Sequence, residues 1–234
     1  AGGLGVRPWA AALAVMLLAS PAAYAELWGF VDGAGTAHFA HRPVDSRYLP
    51  VLRQPGDDAG RVPGKAMASG SLLTWLEFAP EVKAVQPWVR EAATSTGVDA
   101  ELLQALIAVE SGYQADTVSP RGAVGLMQIT PAAADRYATQ AEALARPAGE
   151  RLRDPRSNIL LGARMLADLS RRFGALDAAL AAWNAGEGQV RRHGGRMPPF
   201  AETRAHVHLV LELYWALLQQ RLQTQAQGVR MIRP

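Results

Sequence analysis

One glutamate, near the end of a short apolar run, is better placed for chemistry than any other side chain here. The run is Val98–Tyr113, VDAELLQALIAVESGY. At about 100° per residue, a helix brings Glu110 within about 20° of Leu103, about 40° of Leu106 and about 60° of Ile107. The carboxylate thus closes the apolar, core-facing stripe. Burial disfavours the charged form of a carboxyl, and the dipole at a helix C-terminus acts in the same sense. A carboxyl held protonated near neutral pH is what a general acid needs. The competing reading is a helix-end glutamate that bends out to water.

Three further segments carry groups that can meet a polar ligand. Ser119-Pro120-Arg121-Gly122-Ala123-Val124-Gly125-Leu126-Met127-Gln128 follows the glutamate closely. Its two glycines, three apart, suit a tight loop with close backbone approach. Gln128 brings two amide donors and an acceptor, which suit an acetamido or hydroxyl group. Ala181-Ala182-Trp183-Asn184-Ala185-Gly186 ends an alanine-rich helix and supplies a free side-chain amide at Asn184. Taken alone, it is also an ordinary helix C-cap. Glu202-Thr203-Arg204 lies in the first turn of a later helix, where the dipole favours acidic residues whatever their function.

The order of these pieces says more than any one of them. ESGY, SPRGAVGLMQ, DPRSNILLGARML, AWNAG and PPFAETRAHV, in that sequence, resemble the catalytic domain of the soluble lytic transglycosylase type, a lysozyme-like family. The likeness runs from about Val85 to Tyr214. It implies a mainly α, lysozyme-like helical catalytic domain built around a cleft, with Glu110 as the catalytic acid. It implies that Ser111, Gln128 and Asn184 line a sugar-binding cleft with Met127 packed beside them. Trp183, Glu202 and His206 are carried over to the same cleft. The family pattern usually has tyrosine where Trp183 and His206 stand. Trp183 keeps a stacking surface and an indole N–H, and His206 offers a ring nitrogen in place of a hydroxyl.

Ordinary glycosidases use two carboxylates. The resemblance implies a route with one. Glu110 protonates the oxygen between N-acetylmuramic acid and N-acetylglucosamine, then takes the proton of the muramic C6 hydroxyl. That hydroxyl attacks C1 and closes a 1,6-anhydro ring, so proximity within the substrate replaces a second catalytic side chain. No metal or organic cofactor is implied, and the partner is the peptidoglycan glycan strand. A lysozyme-like hydrolase and a non-catalytic wall-binding scaffold are the competing functions. Wall turnover, division and service to a cell-envelope machine all fit.

Composition agrees with this and excludes other chemistry. The chain has 234 residues, 49% of them hydrophobic, enough for a real core. Its net charge of +3 is too slight to argue for nucleic acid. Cysteine is absent, which rules out disulfides, thiolate nucleophiles, cysteine metal sites and a cysteine-borne lipid anchor. There is no G-x-S-x-G elbow. Gly64-Lys65 fails as a phosphate loop because Ala59 and Ala66 replace the required residues. His206 and His208, two apart on a helix, make a poor metal pair. Asp116, Asp135, Asp168 and Asp177 have no spacing that marks a second catalytic group.

The elements that must position these side chains are mostly helices. Residues 1–25 read as a secretory signal: Arg7, the apolar run Trp9–Ala19, Ser20-Pro21 and the small-residue site Ala23-Tyr24-Ala25, with cleavage before Glu26. The product is periplasmic or secreted. A small β-hairpin module follows at 26–48, turning at Asp32-Gly33-Ala34-Gly35. A lone hairpin is marginal in water, so it should dock on a larger body. Residues 49–70 form a linker, richest in Gly, Pro and charge over 53–70. The catalytic domain occupies 71–226. Helices are expected at about 80–96, 99–110, 131–138, 155–173, 176–184 and 199–224, with Gly174 as a stop and Pro198-Pro199 before the last. No strand pattern alternates with them, so no parallel sheet is expected.

Overall fold

The computed structural model of the protein describes residues 28–31, 37–40, 42–50 and 71–229. The expected leader at 1–25, the Asp32–Gly35 turn and the 53–70 linker lie outside them.

The hairpin expected near the start is present as β1 (Trp28–Val31) and β2 (Ala37–Ala40), antiparallel with Trp28 opposite Ala40 and Val31 opposite Ala37. A third strand, β3 (Leu49–Pro50), pairs on the other edge of β1. Those two residues were expected to begin the linker. Pro50 lacks an N–H, and an edge strand tolerates that loss. The ring of Phe30 stacks on His38 at 4.7 Å and meets Tyr48 edge-on at 5.0 Å.

Ten helices follow among the described residues: α1 (Ser71–Phe78), α2 (Pro80–Thr96), α3 (Ala100–Ser111), α4 (Pro131–Tyr137), α5 (Gln140–Ala145), α6 (Ala148–Arg153), α7 (Pro155–Phe173), α8 (Leu176–Ala185), α9 (Glu187–Arg192) and α10 (Ala201–Val229). The sheet is docked, as expected: β1 packs on α1, and β2 on α3 and α10. Local chemistry sets many helix ends. Pro131 and Pro155 open α4 and α7, where a missing N–H costs nothing. The Thr130 hydroxyl accepts from Ala133 N, and the Asp154 carboxylate from Ser157 N. Thr139 and Glu142 form a reciprocal capping box at α5. Gly97 and Gly174 close α2 and α7 in the left-handed conformation.

The helix bearing Glu110 differs from the one-sided stripe expected of it. Leu102, Leu103, Ala105, Leu106, Ile107 and Ala108 are all buried, so α3 is enclosed on nearly every side. A helix apolar all round belongs in the middle of a fold. Each fully buried Leu or Ile there stabilises by about 1.5–3 kcal/mol relative to exposure. α10 runs antiparallel along α3. Tyr214 hydrogen-bonds Asp99, Arg221 pairs with Glu101 at 3.0 Å, and His206 meets Glu110 at the far end. α7 packs between α2 and α8. Among the described residues, no helix is long and apolar enough to cross a membrane.

Candidate active site

α3 stops just after Glu110 for a backbone reason. Gly112 (φ 55°) is left-handed and its N–H returns to Ala108 O. Tyr113 is also left-handed (φ 66°), a rare state for a bulky residue. Its ring is buried, pressed edge-on against Trp75 at 5.8 Å, and burial pushes its hydroxyl well above the ordinary tyrosine range. The chain therefore turns sharply away, leaving Glu110 at the rim of the core with its side chain 14% exposed.

Two side chains from different helices meet one oxygen of that carboxyl. The Trp183 indole Nε1 on α8 donates to Glu110 Oε1 at 2.9 Å. The His206 Nε2 on α10 lies 2.8 Å from the same oxygen. His206 is itself only 11% exposed, and its Nδ1 is buried without a hydrogen-bond partner among the described residues. Trp183 and His206, where the resemblance led us to expect tyrosines, therefore share one task. Neither hydroxyl is present, yet both replacements supply a ring nitrogen to Glu110.

Opposite them, the 113–130 loop is built on a side chain that sequence reasoning missed. Asn158 of α7 is fully buried. Its Oδ1 accepts from Met127 N, and its Nδ2 donates to Val124 O and Leu152 O, each at 2.9 Å. A Cβ at Gly125 (φ 81°) would lie 2.3 Å from Asn158 Nδ2, so this position needs glycine. A buried amide must find partners for all its polar atoms. Asparagine inside the apolar stripe of α7, beside Ile159 and Leu160, was the available signal.

The expected site residues sort themselves accordingly. Met127 is fully buried, its sulfur against Gly162. Ser111 was expected on the cleft. It is buried instead, with Oγ 2.8 Å from Leu126 O and 3.2 Å from Ile107 O, which ties the end of α3 to the loop. Gln128 (φ 45°) spends both amide hydrogens on Thr117 O and Gly125 O. Its Oε1, with no donor among the described residues, remains the acceptor. Asn184 Oδ1 accepts from the buried Thr203 hydroxyl at 2.9 Å. Glu202, also expected in the site, is exposed in the first turn of α10 and joins none of these bonds. Thr203, one residue on, points inward in its place because the helix turns by about 100° per residue.

Beside this cluster lies a groove of about 560 Å³, bordered by Gln128, Met165, Trp183, Asn184, Arg136 and Glu187 among others. Trp183 thus faces both the groove and Glu110. Three other enclosed carboxylates are engaged elsewhere: Glu101 by Arg221, Asp168 by Tyr137 and Arg172, Glu187 by three arginines. Burial alone would raise Asp168, but the Tyr137 hydroxyl and Arg172 outweigh it and hold the carboxyl below its usual range. Burial, then Asp168, push the Tyr137 hydroxyl up to about 12. Among the described residues, Glu110 shares no hydrogen-bond partner with another carboxylate.

A family model described as the transglycosylase SLT domain matches residues 87–203. The chain is 37% identical over 98 residues to the endo-type membrane-bound lytic murein transglycosylase A of Klebsiella pneumoniae, covering 41% of this chain and 48% of that protein. Among solved structures it is similar to the lytic transglycosylase Slt of Pseudomonas aeruginosa, studied as an inactive mutant. The TM-score is 0.50 at 29% identity, over 60% of this chain and 24% of that one. It is also similar to the 70-kDa soluble lytic transglycosylase in complex with bulgecin A, with a TM-score of 0.52 at 28% identity, over 64% and 27%. The chain spans about half the length of the curated relatives it matches.

Proposed function

This chain belongs to the transglycosylase SLT domain family, and we propose that it is a lytic transglycosylase acting on peptidoglycan glycan strands through Glu110 alone. The observation that carries this reading is the Glu110 carboxyl itself: mostly buried, one oxygen held by Trp183 and His206, and Trp183 continuing into the groove.

With the Trp183 N–H and the His206 Nε2 both placed on Oε1, Oε2 is left to carry the proton. Glu110 gives that proton to the glycosidic oxygen between the N-acetylmuramic and N-acetylglucosamine residues, and the C1–O bond breaks. The 2-acetamido carbonyl of the muramic residue stabilises the positive charge that develops at C1. The C6 hydroxyl of the same sugar attacks C1, and its proton passes to the glutamate carboxylate. The carboxyl is regenerated and the product is a 1,6-anhydro sugar, with no water consumed. The two rings act by fixing the carboxyl's orientation, so little rearrangement is needed as charge moves.

The same reading takes 71–226 as the catalytic domain and 26–48 as an accessory module. It takes 1–25 as an export signal, which delivers the enzyme to the periplasm or outside the cell, where a cell-envelope machine is a fitting partner. Mass spectrometry of digested sacculi tests the chemistry. Anhydro-muropeptides, one water lighter than hydrolysis products, are expected, and reducing ends alone would mark a hydrolase instead. Glu110→Gln keeps the shape but removes the transferable proton, so wall lysis should disappear. Undiminished lysis by that variant would make the general-acid assignment wrong, and absence of lysis by the unaltered protein would leave the binding or scaffold reading standing.

A further inference from the structure

The far wall of the groove carries a charge cluster that the chemistry at Glu110 does not use. Arg136 on α4, Arg171 and Arg172 on α7, and Arg191 on α9 converge on Asp168 and Glu187. Glu187 receives Arg136 at 2.6 Å, Arg172 at 3.0 Å and Arg191 at 2.8 Å. Asp168 receives Arg172 at 2.9 Å and Arg171 at 3.4 Å, with Arg136 at 3.9 Å. Four guanidiniums thus meet two carboxylates, and the cluster keeps a surplus of two positive charges.

Position decides what that surplus serves. Both acids are largely enclosed, each 18% exposed, and spend their lone pairs on the arginines. Arg136 is 46% exposed and borders the groove, yet it donates only its Nη1 to Glu187. Its Nη2 lies 3.9 Å from Asp168 Oδ2, beyond hydrogen-bond reach, so its other N–H groups are not spent on partners among the described residues. Its guanidinium also lies 5.2 Å from the Tyr137 ring centroid, which limits its freedom. A planar fork held in place with donors to spare suits a carboxylate.

Resting on the reading of the groove as the glycan site, we propose that Arg136 binds a carboxylate on the acyl group borne by the substrate's muramic residues. Two sources share that chemistry: the peptide stem, or the lactyl group once the stem is gone. Arg136 then confers preference for acylated glycan over neutral sugar polymers.

The test measures binding by the full chain carrying Glu110→Gln, which keeps the ligands intact, with and without Arg136→Gln. Three soluble glycans serve as probes: strands with peptide stems, strands stripped by an amidase that leaves the lactyl carboxylate, and N-acetylglucosamine oligomers. Arg136→Gln should lower the preference for an acidic strand over the neutral oligomer by about fivefold, the upper range for one exposed charge pair. The difference should fade in about 1 M salt, where screening acts over about 3 Å. Arg136→Lys should recover part of it. Loss confined to stem-bearing strands assigns the stem carboxylate, loss confined to stripped strands assigns the lactyl carboxylate, and loss on both acidic strands assigns Arg136 to either. An unchanged preference, or equal loss on all three glycans, overturns the assignment while leaving the glycan site intact. Failure of the Glu110→Gln protein to bind any of the three removes the glycan site itself. Thermal unfolding of each variant guards against a fold defect, since Glu187 retains Arg172 and Arg191.

Discussion

Replacing His206 by phenylalanine separates the positioning of Glu110 from the stability of the fold. The contact between Nε2 and Oε1 is 2.8 Å, and a typical hydrogen bond contributes about 0.5–1.5 kcal/mol. The same ring buries Nδ1 without a partner, and an unsatisfied buried polar atom costs about 1–3 kcal/mol. Phenylalanine removes both terms, which are opposite in sign and similar in size, while filling much the same volume. The net change in stability should be within about 1 kcal/mol, a melting shift of about 2–4 °C for a chain of this length. Catalysis has no such cancellation, because Glu110 loses one of the two groups that hold it. General acid–base catalysis is worth about 10²–10⁴-fold, and losing half of the alignment should lower kcat by about 10–100-fold. KM should scarcely move, since His206 does not border the groove. Trp183→Phe is the contrast: it removes a bond at 2.9 Å and an indole face without relieving any orphaned atom, so it should lose both activity and several degrees of melting temperature. Because both rings act on one oxygen, the double variant should be clearly non-additive in activity. Release of anhydro-muropeptides from sacculi measures the rate, and calorimetry the stability. A His206→Phe protein with unchanged kcat and a raised KM would refute the positioning argument and return His206 to the sugar. One whose melting point collapses would show that the cancellation was misjudged.

Two further outcomes concern the frame around the site. Asn158→Leu leaves Met127 N–H and Leu152 O unpaired in the interior and strips Val124 O of one of its two donors, Ile129 N remaining, and these losses should cost about 2–5 kcal/mol; a change in urea midpoint worth less than about 1 kcal/mol would contradict the loop-anchor role. The pair between Arg164 and Glu142 predicts an acid dependence: the Arg164 hydrogen bond holds Glu142 at about 2, against 4.5 for the free group. A carboxyl depressed in the folded state contributes stability that is present above its unfolded value and lost as pH falls from about 4.5 towards 2. Glu142→Gln should therefore flatten the stability profile in that window and cost about 1 kcal/mol or less at neutral pH, given the exposure of both partners; matching profiles for the two proteins would dismiss the pair as a stabiliser.

Much of the frame was legible residue by residue. Pro131, Pro155, Gly97 and Gly174 act through the backbone of their own neighbourhoods, so α2, α4 and α7 begin and end close to where their sequences direct. α5 was equally readable, since Thr139 and Glu142 spell out its capping box, yet it was passed over. α6 and α9 are six residues each and carry too little periodicity to be seen alone. Within the site, Glu110 stood out by its place along one helix, which needs only the helical repeat, and its role as the acid came from the order of the motifs that resemble the family.

The neighbours of Glu110 are a different matter. Trp183 lies 73 residues away along the chain and His206 lies 96 away. No local rule states that their nitrogens reach the same oxygen. Likewise, nothing in a serine's sequence context says that Ser111 faces inward while Thr203 replaces Glu202 at the bond to Asn184. Helix starts, helix stops and the burial of α3 follow from short-range sterics and hydrophobic pattern, which the sequence carries directly. Which atoms meet at the carboxyl depends on the packing of α3, α8 and α10 to within a fraction of an ångström, and a hydrogen bond exists only at that precision.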